Sequence, residues 1–154
     1  MTSGRLVEAR VLDSWQMYQD ALLRTLAPLT EEQLGSRLVP GMRSVGEMAE
    51  HIVRARALHV HNALGDEAAE LVPLANWDEP DDPTRSAAEI VAGLELTWRY
   101  ITACVERWSA LGDPFPPEEA EKLDIVWGML DHDLPHIGEL SYQMGAFGLE
   151  GPEI

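Results

Sequence analysis

Two histidines four residues apart, His132 and His136, sit in the stretch from Asp131 to Leu140, and a third, His51, lies on a separate apolar segment. On a helix, a four-residue step turns through about 40° and rises about 6 Å, so both imidazoles can reach one ion from a single face. Imidazole is a common metal ligand, and three such ligands leave coordination positions open for chemistry, whereas a closed structural site takes four. His51 shares a stripe with Met48, Ala55 and Leu58, while His132 and His136 share one with Ile125, Met129, Leu140 and Gln143, so all three are expected to face the core. The same spacing also suits core histidines that only hydrogen-bond, and the glutamate of the zincin pattern HExxH is missing.

Two glutamates fall close enough in phase to support such a centre. Glu139 is seven positions after His132 and Glu47 four before His51. Either could accept an imidazole N–H or act as a general base, with Glu139 the candidate catalytic residue because Glu47 also fits a helix cap. Asp131 and Asp133 flank His132 off the stripe and read as solvated, and His59 and His61 read as surface or interface residues. Cys104 stands among Ile101, Val105 and Trp108, the setting of a core thiol rather than a nucleophile. Trp77 either packs on the helices or covers a pocket.

The elements that must position these residues are helical. Apolar residues recur at helical spacing from about Arg5 to Leu26, and Pro28 stops that run. Thr30 with Gln33, Ser44 with Glu47, and Ser86 with Glu89 each form a capping-box pattern, which predicts helix starts at all three places. The second start opens the helix that bears His51, expected to run to Leu64 and end at Gly65. From Gly65 to Thr84 the chain is acidic and punctuated by Pro73, Pro80 and Pro83, so a long connection is expected. Val91, Leu94, Trp98, Ile101, Val105 and Trp108 mark the third long helix, and a fourth is expected from about Glu119 or Asp124 to Ala146. Pro135 lies between the two histidines, where it should kink that helix, or else start it and strand His132 in a loop. No strand pattern survives, and the expected fold is an all-α four-helix bundle, a single domain over residues 1–154 with a long acidic loop between its second and third helices.

The chain of 154 residues has 11 Lys+Arg against 27 Asp+Glu, a formal net charge of −16. Phosphate backbones and anionic lipid heads are repelled by that sign, so no nucleic acid and no membrane is expected as a partner. The first residues carry charge rather than an apolar signal core, no long apolar run follows, and the expected location is cytoplasmic.

The run Ser44-Val-Gly-Glu-Met-Ala-Glu-His51, followed some eighty residues on by His132-Asp-Leu-Pro-His136-Ile-Gly-Glu139, resembles the DinB-like (YfiT-type) superfamily of metal-binding four-helix bundles over nearly the whole chain. The resemblance implies that His51, His132 and His136 hold a divalent metal ion, with zinc or nickel the leading choices, at a site with open positions. It also implies a homodimer. For activity it implies either a thiol-dependent transferase, in which a metal activates a low-molecular-weight thiol, or a hydrolase of a small molecule. The alternative is a non-catalytic dimeric bundle acting in binding or in a stress response.

Overall fold

The first helix, α1 (Ser3–Leu26), ends two residues before Pro28, whose ring cannot continue the hydrogen-bond ladder. Residues 3–77, 83–111 and 116–153 are described by a computed structural model, with side chains from Arg10 onward. Each of the three capping boxes is formed: Thr30 starts the single-turn α2 (Glu31–Leu34), Ser44 starts α3 (Val45–Leu64), and Ser86 starts the third long helix. In each, the hydroxyl accepts from the amide three residues on and the Glu or Gln there accepts from the cap amide, which satisfies donors the helix ladder leaves open. Gly65 ends α3 at a φ of 60°, a left-handed value that glycine adopts without a Cβ clash.

The stretch expected to be a long acidic connection is instead helical as far as Ala75. A 3₁₀ segment (Gly65–Leu71) leads directly into a one-turn helix, α4 (Val72–Ala75). Its acidic residues, Asp66, Glu67 and Glu70, face water while Ala68, Leu71, Leu74 and Ala75 are buried against α3. Pro73 falls in the first turn of α4, where a missing amide costs little. Pro80 lies outside the described residues. Trp77 is half-buried against the core, with the Arg85 guanidinium 5.1 Å from its ring centroid.

Two more long helices follow, α5 (Ala87–Ser109) and α6 (Pro117–Ala146). The last begins earlier than Glu119, because Pro117 suits the first turn and Glu118 and Glu119 complement the positive end of the helix dipole. Among the described residues there are thus four long helices, two single-turn helices and no strand. The bundle is therefore all-helical but less plain than four helices joined by loops. No helix among the described residues is long and apolar enough to cross a membrane.

α3 packs against α5, α6, α4 and the 3₁₀ segment, and it is the most enclosed element. α1 packs against α5 and more loosely against α6, leaving a cleft of about 470 Å³ between Val11, Trp15 and Tyr18 on one side and Leu130 and Leu134 on the other. The core between the helices contains Trp15, Leu22, Ile52, Val60, Leu94, Ile101, Met129 and Leu140, all essentially inaccessible. Trp15 meets Trp98 edge to face at 5.4 Å between centroids, a favoured aromatic geometry.

At Gly93, α5 lies close against α3 and the segment that follows it. A Cβ there would lie 2.7 Å from Val53 Cγ1, 3.0 Å from Leu74 Cδ2 and 3.1 Å from Trp77 Cη2. Gly93→Ala gains about 1 kcal/mol of helix propensity. Overpacking against the buried Val53 and Leu74 and the half-buried Trp77 costs about 1–3 kcal/mol, so a net loss of stability is expected. Thermal unfolding measures this, and a midpoint at or above that of the parent protein would show that the two helices are not so closely seated.

Candidate metal centre

The three sequence-predicted histidines come together from two helices. His51 stands in the first half of α3, and His132 and His136 are successive turns of α6. Helix α6 runs unbroken through Pro135, so the loop alternative for His132 is excluded. Asp131 and Pro135 both lie on the exposed face, where water can take the carbonyl that proline leaves unpaired.

His132 Nε2 lies 3.2 Å from His51 Nε2, and one ligand atom from each of the three residues falls within 4.8 Å of the others. The His136 ring is 4.9 Å from His51 and 4.5 Å from His132, centroid to centroid. Two imidazole nitrogens bound to one tetrahedral ion at about 2.05 Å each would stand about 3.3 Å apart, so the observed separation suits a shared ion. The His132 and His136 side chains are 26% and 22% exposed, and solvent therefore reaches the cluster.

The supporting hydrogen bond on His136 fits the same use. His136 Nδ1 lies 2.8 Å from Glu139 Oε2. An ionised carboxylate only accepts, so Nδ1 carries the proton and the Nε2 lone pair is left for a ligand bond. Glu139 thus occupies the place of an acceptor for an imidazole N–H. Glu47 does not serve the cluster: its carboxylate accepts from the Ser44 amide at 2.7 Å and pairs with Arg37 at 2.7 Å.

His59 and His61, expected at the surface or an interface, are half-buried. The His59 ring lies 6.3 Å from that of His132, and burial, reinforced by the charge His132 can carry, lowers its pKa. Cys104 is buried, and that burial pushes its thiol up to about 11, which leaves it protonated and unreactive at neutral pH.

The reading of Asp133 as solvated is overturned. Asp133 and Arg56 are both fully buried and form an ion pair, with Arg56 Nε donating to Asp133 Oδ2 at 2.7 Å. Arg56 Nη1 donates to Gln19 Oε1 at 2.6 Å, and Gln19 Nε2 donates to the Leu94 carbonyl at 3.2 Å. One chain of hydrogen bonds therefore crosses the core from α6 through α3 and α1 to α5. The correction has a geometric cause. The buried ridge of α6 is Val126, Met129, Asp133, Ile137, Leu140 and Met144, with Gln143 buried beside the last of these. His132 and His136 lie one position before members of that ridge, at its solvent edge, instead of at its centre.

An all-helical fold that gathers three histidines from two helices, with a carboxylate behind one of them, defines a helical bundle with a candidate metal centre. The chain belongs to the DinB superfamily, whose family model matches residues 15–140, a span that includes every residue of the cluster and of the buried hydrogen-bond chain. No curated protein and no solved structure matches the chain.

Removing one partner of the buried pair should be severe. Arg56→Ala leaves the Asp133 carboxylate enclosed without a counter-charge, at an expected cost of about 3–5 kcal/mol measured by denaturant unfolding. A loss below about 1 kcal/mol, the range of exposed pairs, would show that water reaches the pair. Cys104 gives a second check. The native protein should resist iodoacetamide at pH 8 and react promptly once unfolded, whereas rapid native labelling would contradict the burial of the thiol.

Proposed function

We propose that the protein is a metal-dependent enzyme acting on a small molecule, with His51, His132 and His136 holding one divalent ion, zinc or nickel. The observation that carries this reading is the 3.2 Å approach of His51 Nε2 and His132 Nε2, beside a His136 whose Nδ1 is already committed to Glu139. A divalent ion held by three imidazoles supplies Lewis acidity and open positions at which a thiol or a water becomes a stronger nucleophile.

The residues of the chain have the complementary tasks. Glu139 holds the His136 ring in one orientation and one tautomer, which makes it a positioning residue, the first of the two roles that the sequence left open for it. His51 joins the α3 side of the cluster to the α6 side. Cys104 is buried away from this work, so a thiol reactant would be a low-molecular-weight compound from solution. The charge of −16 sets the field in which substrates arrive, and it disfavours polyanions such as nucleic acids. Transfer of a small thiol and hydrolysis of a small ester or amide are the two reactions we propose for such a site. The homodimer expected from the family belongs to the same proposal.

Metal analysis of protein purified without a histidine tag provides the first test. Stoichiometric zinc or nickel is expected, and it should disappear in His132→Ala and His136→Ala while the helical circular dichroism is retained. Metal-free parent protein that takes up neither ion on titration would sink the proposal. Assays with a small thiol plus an electrophile, and with simple esters and amides, then separate transfer from hydrolysis. Metal binding with no turnover in either assay would favour the non-catalytic bundle, and light scattering reads the oligomeric state.

A further inference from the structure

The ion pair in the core ends on an unused oxygen beside the histidine cluster. Asp133 Oδ2 takes the hydrogen bond from Arg56, but Asp133 Oδ1 is buried with no hydrogen-bond partner. His132 Nδ1 is also buried without a partner, and it lies 3.8 Å from that oxygen. Two unsatisfied buried polar atoms in such proximity constrain each other.

If His132 Nδ1 carried its lone pair, a carboxylate oxygen and an imidazole lone pair would be enclosed 3.8 Å apart with no proton between them. If Nδ1 carries the proton, the contact is attractive, and a small ring rotation or one bridging water completes the hydrogen bond. The second arrangement places the lone pair of His132 on Nε2, the atom that approaches His51. Arg56 Nε holds Asp133 Oδ2 at 2.7 Å, and Gln19 holds the Arg56 guanidinium in turn through Nη1 at 2.6 Å, so the carboxylate is anchored on the side away from His132.

We propose that Asp133, held by Arg56, is a positioning residue that sets the Nδ1–H tautomer of His132 and so aims its Nε2 lone pair at the bound ion. The inference rests on the metal reading above and adds the source of one ligand's orientation. His136 takes its orientation from Glu139 at the surface, and His132 takes it from the buried ion pair.

The first test needs no variant. Nitrogen-15 NMR of the imidazoles in metal-free protein, at a pH where they are neutral, should show His132 protonated at Nδ1; protonation at Nε2 would overturn the proposal. The second test removes the carboxylate while preserving the core. Arg56→Met combined with Asp133→Leu replaces the ion pair by apolar side chains, a change that often leaves stability intact. This variant should weaken zinc binding by about 10- to 100-fold in calorimetric titration, the usual effect of losing the acceptor behind a ligating histidine. It should also shift His132 towards the Nε2–H form. A folded double variant that binds zinc as tightly as the parent would overturn the proposal. Should that variant fail to fold, Asp133→Asn is read by the same tautomer signal, with an unchanged Nδ1–H form counting against the idea. Failure of the metal reading is distinguishable: the parent then binds no zinc, while the tautomer of His132 still decides the role of Asp133.

Discussion

An arginine and an aspartate enclosed among apolar helices impose the strictest constraint in this bundle. Arg56 and Asp133 are both wholly inaccessible, and moving either charge out of water costs several kcal/mol that only a well-formed partner can offset. Leucine and isoleucine in the same positions would attract their neighbours without regard to direction. The charge pair works only in one alignment of α3 with α6. A slide of one turn, about 5.4 Å, would bring Met129 or Ile137 opposite Arg56 and leave two buried charges uncompensated. The pair therefore adds an electrostatic preference for the register that the apolar packing of α3 on α6 already adopts, the register in which His51 stands opposite His132 and His136.

This dependence explains why the candidate centre can be assembled from only two helices. Two imidazoles on successive turns of α6 are held at a fixed separation by helix geometry alone. The third depends on the packing of α3 against α6, an extensive contact in the fold. Gln19 adds α1 to the arrangement through Arg56, and the Leu94 carbonyl adds α5 through Gln19, so all four long helices bear on the position of one carboxylate. The looser side of the bundle, the cleft between α1 and α6, lies by Leu130 and Leu134, on the other flank of α6 from His132.

Much of the fold could be read from residue order because the relevant interactions are local. Thr30, Ser44 and Ser86 each start a helix through a partner three residues away, and Gly65 ends one through its own backbone freedom, so no knowledge of tertiary structure was needed. The histidine cluster was legible for a related reason: a four-residue spacing on one helix already fixes two of its three members. The phase of α6 was not legible, since Ile125, Met129 and Leu140 make as good an apolar stripe as Val126, Met129 and Leu140. What decides between them is Asp133, which solvation rules send outward until Arg56 is known to face it. A signal did exist. Arg56 stands midway between Ile52 and Val60, and Asp133 midway between Met129 and Ile137, each four residues from an aliphatic on both sides. Opposite charges at two such positions are candidates for pairing. The acidic stretch after Gly65 misled for the opposite reason, because three carboxylates and a proline disguise the small apolar face of Ala68, Leu71, Leu74 and Ala75.

The two carboxylates that back the α6 histidines differ in a way that follows from their surroundings. Glu139 is 53% exposed, so its hydrogen bond to His136 competes with water and is screened by salt. Asp133 is enclosed and already holds a guanidinium, so its charge is screened little and its direction is fixed. On the proposed reading, the His132 side of the centre is rigid and the His136 side adaptable. A ligand sphere that must accept a reactant at its open positions benefits from that asymmetry, because one imidazole can yield slightly to a change in coordination while the other keeps the ion in register with His51.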